Sequence, residues 1–277
     1  MKPLYLLLAL PLLPACSLIG FVAKESVVGA TSHYGLSSTT LIAELPPNHG
    51  VTYNASYAPL DPYRCTVASP ATGGMRSRPN QYRTDQADAH PDARTVTFRI
   101  PLTYTIGSCT QQLDNITVSI KSPSGRYSLA GVKVLPALPD GTGPVRDADP
   151  ELVVRRLCGT AYHIVPGHER HVLARDIDCL AADSQWQPLE RTSRHPGPVA
   201  NVAYTQLNKT DLRFVYRLID KEWPLYPENW SPVGDGMKPC ASQWKWVGEA
   251  SCSYRDPTFS TFEMDGRECT LYPGCTE

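Results

Sequence analysis

The stretch VTFRIPLTYTI, from Val96 to Ile106, puts Val96, Phe98, Ile100, Leu102, Tyr104 and Ile106 on one side of the chain. Thr97, Arg99, Pro101, Thr103 and Thr105 fall on the other. A period of two held over this length is the mark of a half-buried β-strand, because successive side chains of a strand point to opposite faces. Pro101 has no N–H to give to a ladder, which places the strand at a sheet edge or gives it a bulge. Shorter runs of the same kind follow at Ile116, Val118 and Ile120, from Leu129 to Leu135, and at Leu212, Phe214, Tyr216 and Leu218. Twenty-six prolines and nineteen glycines, spread throughout, leave little room for long helices. The expected class is mainly β, a disulfide-stapled, β-sandwich-like architecture in two lobes.

The lobes are expected to meet at PALPDGTGPVRDADP, Pro136 to Pro150, which is rich in Pro, Gly and Asp and lacks apolar periodicity. Residues 137–150 then read as a linker between an N-terminal β domain, 26–136, and a C-terminal disulfide-rich β lobe, 151–277. The polar RTSRHPGP, Arg191 to Pro198, reads as a loop. No internal repeat is present.

The N-terminus reads MKPLYLLLALPLLPAC: one cation at Lys2, an apolar run from Leu4 to Leu13, then small or turn-forming residues before Cys16. This is the layout of an export signal. The run is about half of the ~20 residues a helix needs to span a bilayer, so a permanent transmembrane anchor is disfavoured.

Leu13-Pro14-Ala15-Cys16 resembles the lipobox of bacterial lipoproteins. The resemblance implies that residues 1–15 are removed as a signal peptide and that Cys16 becomes the lipidated first residue, with 16–25 as a tether. Two acyl chains suffice for stable membrane attachment. Ser17 stands where the inner-membrane retention signal of that family has aspartate, which implies the outer membrane, facing the periplasm.

Eight cysteines are left: Cys65, Cys109, Cys158, Cys179, Cys240, Cys252, Cys269 and Cys275. An even number in a chain sent to an oxidising compartment points to as many as four disulfides, and about 105 connectivities are open to eight cysteines. Pairing of sequence neighbours is the simplest of these. No two of the eight have C-x-x-C spacing, so a zinc site is not expected.

Of the chemistry-bearing clusters, His163, His168 and His171 in AYHIVPGHERH depart from H-E-x-x-H, since Val172 stands where the second histidine should be. Pro166 and Gly167 also break any helix there, so the cluster reads as a solvated loop. Asp176 and Asp178 share a strand face and would repel each other unless solvated. No nucleophile elbow, phosphate loop or dinucleotide fingerprint occurs, and no catalytic residue, metal or cofactor is assigned. The four N-x-S/T triplets, at Asn54, Asn115, Asn208 and Asn229, matter only on a eukaryotic secretory route. The formal net charge of −1 lacks the basic excess that nucleic-acid binding requires.

The C-terminal third is rich in aromatics, and Trp223, Tyr226, Trp230, Trp244 and Trp246 are the candidate partner-binding residues. Tryptophan and tyrosine dominate binding hot spots, and the competing use of the same residues is to fill a small core. Lipobox, stapled β body and the cysteine-bearing end YPGCTE together resemble immunity lipoproteins encoded beside antibacterial effectors, above all those of type VI secretion. The resemblance implies a protein partner, a toxic effector enzyme that the chain neutralises without chemistry of its own. Structural or assembly lipoprotein of the envelope is the alternative, and an envelope-polymer hydrolase a further one.

Overall fold

The computed structural model describes residues 28–69, 73–123, 127–136, 151–165, 171–189, 200–241, 252 and 258–276. The strands run, in chain order, β1 (His33–Tyr34), β2 (Ser38–Leu45), β3 (Gly50–Pro59), β4 (Thr66–Ala68), β5 (Met75–Ser77), β6 (Gln81–Ala87), β7 (Arg94–Pro101), β8 (Thr103–Ile106) and β9 (Cys109–Lys121). They continue with β10 (Tyr127–Leu135), β11 (Glu151–Val165), β12 (Val172–Ala182), β13 (Ala200–Ala203), β14 (Asp211–Pro224), β15 (Trp230–Val233), β16 (Gly236–Pro239), β17 (Phe262–Met264) and β18 (Arg267–Cys269).

Two sheets of seven strands form the body. Sheet A is centred on β9, which pairs with β3 along one edge and with β8 and β10 along the other; β6, β1 and β13 lie outside these. Sheet B has the order β18-β17-β12-β11-β14-β2-β7. Small hairpins, β4–β5 and β15–β16, stand apart from both.

The alternation that marked Val96 to Ile106 is real, but it belongs to two strands. β7 ends at Pro101 as the outermost strand of sheet B, and β8 begins at Thr103 in sheet A. Pro101 stops the ladder where the chain changes sheets, while its carbonyl accepts from the buried Tyr57 hydroxyl at 2.9 Å. The Leu102 N–H donates to Ser37 and its carbonyl accepts from Leu113, so the crossing residue joins both layers. Leu102 and Tyr104 still pack on the core beyond this corner, although burial alternates clearly only as far as Ile100.

The sheets share one core. Leu41, Phe98, Ile100, Phe214 and Tyr216 of sheet B meet Tyr53, Tyr57, Ile116, Val118 and Ile120 of sheet A, and the Tyr53 and Phe98 rings touch edge to face at 5.1 Å. Each fully buried side chain of this size contributes roughly 1.5–3 kcal/mol. The strands do not sort into two sets across 137–150. β2, from the first half, lies between β14 and β7, and β13, from the second, pairs in parallel with β10. A smaller cluster of Tyr162, Ile164, Trp230, Phe262, Met264 and Tyr272 fills the far end of sheet B.

Four disulfides staple the fold: Cys65–Cys109, Cys158–Cys179, Cys240–Cys252 and Cys269–Cys275. These are the sequence-neighbour pairs. Cys158 and Cys179 stand directly opposite each other in the β11–β12 ladder with Cα atoms 4.0 Å apart, and both are buried in the main core. Cys269–Cys275 closes the end of the β17–β18 hairpin, whose Asp265-Gly266 turn has both residues at positive φ, as a two-residue turn of this twist requires.

Candidate functional site

Cys16, the linker 137–150, the loop 191–198, His168, Trp244 and Trp246 lie outside the described residues. Of the remaining candidates, Trp223 lies near the end of β14 in sheet B, Tyr226 follows that strand, and Trp230 opens β15, packed in the cluster at the far end of sheet B.

Trp230 is not available for binding. Only 4% exposed, it packs edge to face on Tyr162 at 4.9 Å and against Phe262 and Tyr272. The aromatic count alone gave no way to separate this use from a surface one. Burial raises the Tyr162 hydroxyl to about 12, and the neighbouring Tyr272 and the Glu222 carboxylate push the same way. The Tyr272 hydroxyl donates to Glu222, and the Arg175 guanidinium lies over the Tyr272 ring at 5.6 Å.

Trp223 is half-buried and already partnered. Its indole crosses β11 at Gly159 and donates from Nε1 to Asp178 Oδ2 on β12 at 3.0 Å. A Cβ at Gly159 would lie 2.5 Å from the ring and 2.5 Å from the Lys221 carbonyl, so only glycine lets the ring pass. The β11–β14 register also slips between Cys158 and Thr160. Asp178 and Cys179 are tied onward to sheet A: Ser128 Oγ lies 3.4 Å from Asp178 Oδ1 and accepts the Cys179 N–H at 3.1 Å. The buried Arg156 donates to the Cys179 and Leu129 carbonyls.

The aspartate pair does share a face, and distinct partners relieve its repulsion. Asp178 holds Trp223, while Asp176 Oδ2 lies 3.8 Å from His163 Nδ1. The histidine reading needs correction: His163 is on β11, 7% exposed and edge-on to the half-buried Tyr226 at 6.2 Å, not in a solvated loop. Alternation carries it into the strand, because Ala161, His163 and Val165 continue the row that faces Asp176 and Asp178. A carboxylate beside an imidazole is half of an acid–base arrangement. With the two side chains 8% and 18% exposed, it is closed to a substrate as it stands and fixes β12 to β11. No group of three or more metal-ligating side chains occurs among the described residues.

Two features of the outward face of sheet B were not anticipated from the sequence. Arg213 on β14 grips Glu151 of β11 through two bonds of 2.8 Å and Glu44 of β2 through one of 2.6 Å, spanning three strands. The guanidinium holds the Glu151 carboxyl below its usual range. The second is Trp186, in the turn after β12. Asp183 Oδ1 caps this turn by accepting the Gln185 and Gln187 N–H groups, and Trp186 itself adopts a left-handed φ of 63°. For a bulky residue that conformation costs about 1–3 kcal/mol. The Arg217 guanidinium of β14 stacks over its ring at 3.7 Å, so the pair bridges β11 at the level of Leu157, which is 5% exposed although it belongs to the outward row. Only DSQWQPL, with its aspartate three before the tryptophan and proline two after, marked a tight turn.

No protein-family model, curated protein or solved structure matches the chain.

Proposed function

We propose that the chain is an envelope lipoprotein that acts by binding, an immunity protein that neutralises an antibacterial effector enzyme outside the cytoplasm. The observation that carries this reading is the division of the nine cysteines. Cys16 closes a lipobox-like signal, and the other eight pair without remainder. A lipid tether and a cross-linked body suit a protein that waits at a membrane with its surface already shaped. Pre-ordering reduces the entropy lost on association, so that modest contacts yield tight binding.

Competition between strains tests it. A strain lacking this gene is grown with a parent that delivers the effector encoded beside it, and is expected to be killed. The wild-type gene should restore survival. Cys16→Ala should leave the protein without incorporated fatty acid and survival reduced. Normal survival of the deletion strain while the active effector is delivered would contradict the proposal and favour a structural lipoprotein.

A further inference from the structure

The outward face of sheet B changes charge along β11. At one end Glu44 and Glu151 are both engaged by Arg213, and Asp211 stands opposite Glu151 in the ladder. Further along come cations, ahead of the level of Gly159 and Ala161, where the same face carries Asp178 and Asp176 of β12, engaged by Trp223 and His163. Arg217 is stacked on Trp186, and Arg155 occupies the same outward row as Leu157, two positions before it, opposite Ala182 at the base of the Trp186 turn. Among the described residues neither Arg155 nor Arg217 makes an ion pair. Asp183, the carboxylate within this turn, is directed to its own backbone N–H groups. Leu189, at the end of the turn, is 51% exposed.

We infer that this corner, with Trp186, Arg217, Arg155 and Leu189, is a docking surface for an acidic patch of a partner protein. The inference gives a place and a charge to the partner of the proposed function. Three features argue for it together. A tryptophan is held in a conformation that folding alone disfavours, on a capped turn. A guanidinium laid flat on an indole keeps its planar fork of donors for a carboxylate, and stacking limits the entropy lost when one arrives. Tryptophan and arginine are also the residue types on which binding energy concentrates. The surface lies on the same half of the chain as the expected Trp223 and Trp244 segments, but on a tryptophan outside that set.

The first test needs no effector. Poly-L-glutamate carrying a fluorophore is titrated with the full chain at low salt, followed by anisotropy. A protein of formal net charge −1 has no overall attraction for a polyanion, so binding requires a local cationic site. Binding is expected, weakened at least about tenfold by Arg155→Glu with Arg217→Glu, a loss of about 1.4 kcal/mol. Arg217→Lys, which keeps the charge but not the planar fork, should weaken it less. Arg76→Glu, on the β4–β5 hairpin outside both sheets, should leave it unchanged. No binding by the wild type, or equal loss with Arg76→Glu, would overturn the inference. So would arginine-dependent binding to phosphatidylglycerol vesicles without polyglutamate binding, or arginine-dependent self-association in light scattering. If polyglutamate binds as expected while the deletion strain survives the effector, the surface stands and the immunity reading falls.

Discussion

The Trp223 indole donates to the Asp178 carboxylate at 3.0 Å across a strand that belongs to neither residue, over the one position, Gly159, without a side chain to block it. Trp223→Phe keeps an aromatic ring, though a smaller one, and removes the donor. Losing a bond to a charged acceptor costs roughly 1.5–3 kcal/mol. Gly159→Ala forces the ring or the Lys221 carbonyl to move and should cost about 1–3 kcal/mol as overpacking. Urea unfolding of both variants and of the double mutant checks this. Because both changes act on one contact, the double mutant should lose less than the sum.

How far the sequence predicted this arrangement depends on whether the signal is local. The period of two identified β7 and β8, and Pro101 marked the discontinuity, but not that the chain changes sheets there, since an inward residue remains inward on either side. Parallel pairings such as β14 with β2 join residues far apart in the chain, and no local pattern encodes them. The cysteines were readable as staples because an even count in a chain expected to be exported has few other uses. The aromatics were not. Trp223, Trp230 and Trp186 have the same chemistry, and their three fates are set by Gly159, by the Tyr162 cluster and by the Asp183 turn.

None of the eight cysteines paired here should react with iodoacetamide in the folded, unreduced protein. Cys158–Cys179, with both residues in the core, should also be the last to open under mild reductant, because a thiolate must reach the sulfur it attacks. Mass mapping of alkylated peptides with time checks the order. Early labelling of Cys158 would contradict the core position.

High pH should unfold the protein cooperatively. Burial raises Tyr53, Tyr57, Tyr162 and Tyr216 above the ordinary 10.0. The unfolded chain therefore releases these protons first, and the stability they contribute, fully present below pH 10, is lost as pH rises above it. Tyrosinate absorbance and circular dichroism should change together. Smooth titration of all tyrosines with the fold intact would contradict the burial.

The acid side depends on Glu151. Its carboxyl is depressed below 4.5 by Arg213, so the contribution of the pair is complete above that pH and is lost as pH falls through the depressed value. Glu151→Gln should lower the melting temperature slightly at neutral pH and flatten its fall below pH 4.5. An unchanged acid limb in the mutant would show the pair to be idle.

The central claim, that the chain works by neutralising an enzyme, is tested most directly by titration of enzyme activity. The purified product of the neighbouring gene, proposed to be the effector, is assayed on its own substrate while the full chain is added in increments. The account predicts that activity falls linearly and ends at one equivalent, and that Arg155→Glu with Arg217→Glu requires a large excess to reach the same point. Undiminished effector activity under a large excess of correctly disulfide-bonded wild-type protein would contradict it.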